Sequence, residues 1–299
     1  MPAIAWSELY AHPLKRGHRF PMEKYNAMPK RLIAKGIIRK ADLFEPYPME
    51  WDRITGVHTQ EYSDALRRCA LPDAMVRRIG FPQSQRLVLR ERMIANGSVL
   101  AARIAEKEGV AFNAAGGTHH AFADRGEGFC MLNDLALAAA DALQRGKSRV
   151  LIVDLDVHQG NGTAEIFAAN PKVFTFSMHA AGTFPLVKTR SDLDIALPDQ
   201  CNGSVYLVEL QSSLQKLFNS FDPQLVLFNA GVDVLEGDKT GRLSLKPDEC
   251  RQRDRLVFEA CRSRNTPVAV AMGGGYHPDI NRILDAHTAT FEEAGICQR

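Results

Sequence analysis

Val150-Leu151-Ile152-Val153-Asp154-Leu155-Asp156-Val157-His158 runs from an unbroken apolar stretch straight into two carboxylates and an imidazole. Four consecutive aliphatic residues suit a strand buried on both faces, as in a parallel sheet. If the backbone stays extended, Asp154, Asp156 and His158 project from one face, because side chains alternate along a strand. Ionisable groups at the end of a buried strand need their desolvation offset. A bound cation does this; the bland alternative is a polar strand cap.

Four further apolar runs surround this one: Val110 to Phe112, Val173 to Met178, Leu225 to Phe228 and Pro267 to Met272. Helical patterns separate them, at about 132–145, 163–169, 203–219 and 247–264. Short β-rich runs alternating with helices predict βαβ units and an α/β fold on a parallel sheet. Residues 61–108 read as helices broken around Gly80-Phe81-Pro82, and residues 1–60 as loop-rich and basic. No linker or repeat divides the chain, which predicts one domain over residues 1–299.

Each apolar run delivers polar groups at its C-terminal end. They are Gly116-Gly117-Thr118-His119-His120, then Asp156 and His158, then His179, then Gly231-Val232-Asp233, then Gly273-Gly274-Gly275-Tyr276-His277. Open α/β sheets bind ligands outside the carboxyl ends of their strands, so these segments converge on one edge.

The 299 residues carry 45% hydrophobic and 24% charged residues and a net charge of +2. This is ordinary globular composition, and it argues against direct nucleic-acid binding. Cysteines stand at 69, 130, 201, 250, 261 and 297, without a Cys-x-x-Cys pair, so no zinc knuckle is expected. No signal peptide or long apolar run predicts export or a membrane span, which leaves the cytoplasm as the expected compartment. Nothing in the chain specifies an oligomeric state.

Asp156, His158 and Asp233 form a candidate three-ligand site. Mixed nitrogen and oxygen donors suit Zn²⁺, with Fe²⁺, Co²⁺ or Mn²⁺ also compatible. Three protein ligands leave room for a water and a substrate oxygen. His119 and His120 are candidates for proton transfer, with Asp154 and Asn161 as partners that would set their charge states. Tyr276, after three glycines, is a candidate donor to a developing oxyanion.

Gly116 to Ala121, Asp124 to Cys130, Asp154 to Gly162 and Gly273 to Tyr276 together resemble the motifs of the zinc-dependent histone deacetylase family, in that family's order. The resemblance spans about residues 10–290 and is strongest to class IV and bacterial members. It implies the arginase/deacetylase-like single-domain fold, with an eight-stranded parallel sheet between helices. It implies Zn²⁺ on Asp156, His158 and Asp233, tandem histidines His119 and His120 oriented by Asp154 and Asn161, and Tyr276 at the oxyanion. It places Gly128, Phe129 and Phe184 in an acyl-lysine tunnel, with Gly274 and Gly275 beside it. It implies a structural K⁺ on Asp154, Asp156, His158, Ser177 and Met178. Thr118 departs from the class I pattern, which suggests a roomier pocket for longer acyl groups, bordered by Arg19. Asn161 replaces an aspartate, as in other classes.

The expected reaction is hydrolysis of an N-acyl amide, with acyl-lysine in a peptide or protein as the leading substrate. An acetylated polyamine or another small acylamide is the alternative, and a silent acyl-amine binding module a third. A binuclear ureohydrolase of the arginase type would need a carboxylate where Gly160 stands, so one catalytic metal is expected.

Overall fold

In a computed structural model that describes residues 3–295, the apolar run leading into Asp154 forms β4 (Val150–Asp154), buried at every position. Residues 1–2 and 296–299, with Cys297 and the ends of the expected domain, lie outside the described residues. The other expected strands are β3 (Val110–Asn113), β5 (Val173–Ala180), β7 (Leu225–Asn229) and β8 (Val268–Ala271). Three more complete the sheet: β1 (Ile4–Ala5), β2 (Leu43–Phe44) and β6 (Leu193–Leu197). Their order is β2-β1-β3-β8-β7-β4-β5-β6, and every pairing is parallel. The expected eight-stranded α/β architecture is therefore present.

The helices are α1 (Lys24–Ala34), α2 (Trp51–Ile54), α3 (Gln60–Arg67), α4 (Asp73–Ile79), α5 (Gln85–Glu108), α6 (Asp134–Gln144), α7 (Asn161–Phe167), α8 (Gly203–Ser220), α9 (Pro247–Ser263) and α10 (Ile280–Glu293). Strand alternation divides the interior into two cores. Val150, Ile152, Leu225, Leu227 and Ala269 pack with residues of α5 and α6. Leu151, Val153, Val226, Phe228 and Val270 pack with residues of α1, α8, α9 and α10. Covering both faces explains why the strand sequences are continuously apolar rather than alternating.

The N-terminal region corrects the loop-rich expectation: residues 1–60 hold β1, α1, β2 and α2. Pro29 inside α1 obscures that helix in sequence. No helix among the described residues is long and apolar enough to cross a membrane.

One register row prepares the site. Asn113, Ala271, Asn229, Asp154 and Ser177 are successive partners across β3, β8, β7, β4 and β5. All but β5 end at this row, so their following loops leave the sheet side by side.

Candidate active site

Beyond β4 the backbone folds over its own carboxylates. Asp156 N–H donates to Asp154 Oδ1 (3.2 Å), and His158 N–H donates to Asp156 Oδ1 (3.0 Å). This arch sets Asp156 beside His158, whose Nδ1 lies 2.9 Å from Asp156 Oδ1. Asp233 arrives from the loop after β7, and its Oδ1 accepts Val157 N–H at 3.0 Å. One donor atom from each of Asp156, His158 and Asp233 lies within 4.8 Å of the others, the one such buried group of three among the described residues.

These residues fit a divalent cation. Asp233 is fully buried, yet its Oδ2 has no well-formed hydrogen bond, with His158 Nδ1 3.3 Å away. Burial and then the neighbouring Asp156 push Asp233 up to about 7. Burial disfavours charge on His158, but Asp156 and Asp233 outweigh it and hold the ring up at about 10. The cluster thus draws positive charge between its carboxylates, which is what a metal ion supplies. Gly274 closes the cradle: its N–H donates to Asp156 Oδ2 at 2.8 Å, and a Cβ there would stand 2.0 Å from Asp233 Oδ2. Gly160 is equally constrained, since a Cβ there would meet Asp154 Oδ2 at 2.3 Å.

His119 and His120 pack with ring centroids 4.0 Å apart and divide the charge between them. His119 Nδ1 bonds Asp154 Oδ2 at 2.6 Å; burial opposes its charge, but Asp154 and Asp156 prevail and hold it up at about 9. His120 Nδ1 faces Asn161 Oδ1 at 2.7 Å, while Asn161 Nδ2 donates to Glu127 Oε1 at 2.7 Å. Glu127 fixes the amide so that its carbonyl faces His120. His120 therefore carries its proton on Nδ1 and a lone pair on Nε2. Burial, His119 and His158 push it well below the usual histidine range. Burial, then Asp156 and Asp233, push the Tyr276 phenol well above its usual range, so it stays protonated and able to donate.

A cavity of about 520 Å³ joins these groups. Its lining includes His119, His120, Asp156, His158, Gly274 and Tyr276, with Gly128, Phe129 and Phe184 along the way in. Phe184 stacks edge-on against His120 at 4.8 Å, and the Arg19 guanidinium lies 4.8 Å from the centre of the Phe129 ring. Thr118 also lines the cavity, its hydroxyl turned to Leu132 O (2.5 Å) and Asp134 Oδ1 (2.6 Å). Buried Tyr25, Arg90, Ile94 and Gly116 line the same space. Gly275 stands between two lining residues, Gly274 and Tyr276, and a Cβ on it would stand 2.7 Å from Val232 Cγ2. Ser177 and Met178 lie buried on β5 beside β4, with Ser177 Oγ 3.0 Å from His179 Nδ1.

Three neighbours of the site went unassigned in the sequence. Lys24 on α1 is fully buried and donates to Gly273 O at 3.0 Å, 5.7 Å from the Tyr276 ring centre. Burial pulls it down to about 8, against the attraction of Asp233, Asp156 and Asp238. Asn229 Nδ2 donates to Asp154 Oδ1 at 2.9 Å. Glu127 holds Asn161. Glu127 and Asn229 stand inside sequence motifs, whereas Lys24 has no such mark.

The histone deacetylase domain family model matches residues 18–291. An uncharacterised protein of Picosynechococcus is 42% identical over 286 residues, covering 95% of each chain. Histone deacetylase 2 of Arabidopsis thaliana is 30% identical over 296 residues, covering 95% of this chain and 76% of that one. Among solved structures, an HDAC homolog complexed with SAHA superposes with a TM-score of 0.85 at 26% identity, over 98% of this chain and 84% of that one. The match along the chain, the all-parallel sheet and the gathered polar groups lead to one conclusion: the protein belongs to the histone deacetylase family and is a hydrolase of the deacetylase type.

Proposed function

We propose that the protein is a Zn²⁺-dependent lysine deacylase. The observation that carries this reading is the single cavity with the Asp156–His158–Asp233 cluster, the His119–His120 pair and Tyr276 on its inner wall, entered past Phe129 and Phe184. Two aromatic walls suit the unbranched aliphatic stem of a lysine side chain. That a similar HDAC homolog was solved with SAHA supports a small-ligand role for the site.

Asp156, His158 and Asp233 would hold the ion, which when bound polarises a carbonyl and acidifies a water. The chain's own groups then divide the remaining work. His120, neutral and with an Nε2 lone pair that lies 3.1 Å from His119 Nε2, takes the proton of the attacking water. Tyr276, kept protonated, donates to the oxygen on which negative charge develops. The departing amine needs a proton, which His119 and His120 jointly carry across the 3.1 Å between their Nε2 atoms. Asp154 and Asn161 hold the two rings in place. Asp154, Asp156, His158, Ser177 and Met178 are all buried, and we assign K⁺ to their oxygens as a structural ion.

Thr118 and the cavity beyond it favour acyl groups longer than acetyl. The test is turnover of acetyl-, butyryl- and octanoyl-lysine peptides and acetylated polyamines by zinc-loaded and metal-stripped protein. Metal-dependent cleavage of the lysine peptides, with the longer chains preferred, is expected. Faster turnover of polyamines would refute the lysine assignment, and strict preference for acetyl would refute the pocket argument.

A further inference from the structure

Six cavity-lining residues are exposed and so form its mouth: Arg19, Arg78, Phe184, Leu186, Lys239 and Arg242. Four are cations, two are apolar, and none is an acid. The carboxylate lining the cavity is Asp156, buried at its inner end. The cations come from three separated segments, so the pattern is not one solvated helix face. Arg19 precedes α1, Arg78 lies in the last turn of α4, and Lys239 and Arg242 follow β7.

Little nearby charge balances them. Arg242 pairs with Asp199 at 2.8 Å, itself exposed. Arg19, Arg78 and Lys239 have no carboxylate partner among the described residues. Asp238, next to Lys239, is turned inward: its Oδ2 accepts Tyr276 N–H at 2.6 Å, and its Oδ1 accepts from Thr240 and Gly241. Arg19 is steadied over Phe129, and the Arg78 carbonyl accepts Gly128 N–H at 3.1 Å. Two of the cations are thus tied to the residues that line the tunnel. Like charges around a concave, low-dielectric opening focus a field that attracts anions and repels cations.

We infer that this mouth selects acyl-lysine flanked by acidic residues, and disfavours basic tails and polyamines. The inference rests on the lysine-deacylase reading of the cavity and names the substrate class within it. The overall net charge of +2 conceals this, because the compensating acids lie elsewhere.

The test uses three matched peptides, each with a central acyl-lysine flanked by glutamate, glutamine or lysine, on zinc-loaded protein. Cleavage and equilibrium binding are both measured. The glutamate peptide is expected to exceed the lysine peptide about tenfold in kcat/KM and in affinity at low salt. At about 1 M salt, where screening acts within about 3 Å, the ratio should approach one. Arg78→Glu with Lys239→Glu should lower the ratio of glutamate to glutamine peptide. Cleavage of the glutamine peptide with no charge preference, or a preference for lysine flanks, overturns the inference and leaves the hydrolase reading intact. No cleavage of any peptide, with salt-sensitive preference for the glutamate peptide in binding, overturns the hydrolase reading and supports the mouth.

Discussion

Asp154 and Asn229 face each other in register at the ends of adjacent parallel strands, and Asn229 Nδ2 donates to Asp154 Oδ1 at 2.9 Å. The same oxygen accepts Asp156 N–H, while Oδ2 takes His119 Nδ1. One carboxylate therefore ties the neighbouring strand, the arch at Asp156 and the His119 imidazole. Asn229→Ala should cost about 2 kcal/mol of stability, the worth of a buried hydrogen bond to a charged group. It should lower kcat roughly tenfold while bound metal stays stoichiometric. Urea titration, steady-state kinetics and metal analysis check this; unchanged kcat would show that Asp154 is held without Asn229.

Tyr276→Phe removes a phenol that burial and Asp156 keep protonated. Loss of one oxyanion donor lowers kcat by about 10² to 10³. Metal content and KM should change little. Full turnover by the variant would refute the oxyanion role.

Lys24 contributes a buried positive charge within the field of Asp233, Asp156 and Asp238. Lys24→Met removes that charge and the bond to Gly273 O. The metal-free protein should melt lower, because the carboxylates lose a countercharge. Metal affinity should rise roughly fivefold, as about 1 kcal/mol of repulsion is removed. Titration with Zn²⁺ and melting curves with and without metal give the sign; weaker binding would assign Lys24 a packing role alone.

His58 sets an acid limit on stability. Its Nδ1 donates to Phe122 O at 2.9 Å, and its Nε2 accepts Asn133 N–H at 3.1 Å. A second proton would set two donors against each other, and burial lowers the ring from 6.5 to about 4. Because the folded value lies below the unfolded one, this stability is complete above pH 6.5 and falls as pH drops towards 4. The loss is about 3 kcal/mol. Asn133 Nδ2 also holds Ala121 O, next to the histidine pair, so the same change should loosen the site. His58→Gln should flatten the pH slope of urea-measured stability between 4 and 6.5; an unchanged slope would place the titration elsewhere.

The parts legible in sequence are those whose physics is local. Five buried strands announce themselves as apolar runs, and Asp156 and His158 stand two apart just beyond the end of one of them, where the chain arches instead of staying extended. β1 and β2 are two residues each, too short to show a pattern, and β6 is an edge strand with only Leu197 buried. Lys24 reads as a surface lysine, because only the packing of α1 against α10 places it under the glycine loop. The mouth cations are invisible as a group, since residues 19, 78, 239 and 242 meet only through the fold.

Gly160 also bears on how such a protein can change. A Cβ there would stand 2.3 Å from Asp154 Oδ2, the oxygen that holds His119. An aspartate introduced to recruit a second metal would first displace the carboxylate on which the proposed proton relay depends. No single substitution at this position leads smoothly from a one-metal to a two-metal hydrolase. The intermediate would lose its old chemistry before gaining the new, leaving the two kinds of centre separated by a valley that mutational drift or directed evolution would have to cross in several steps at once.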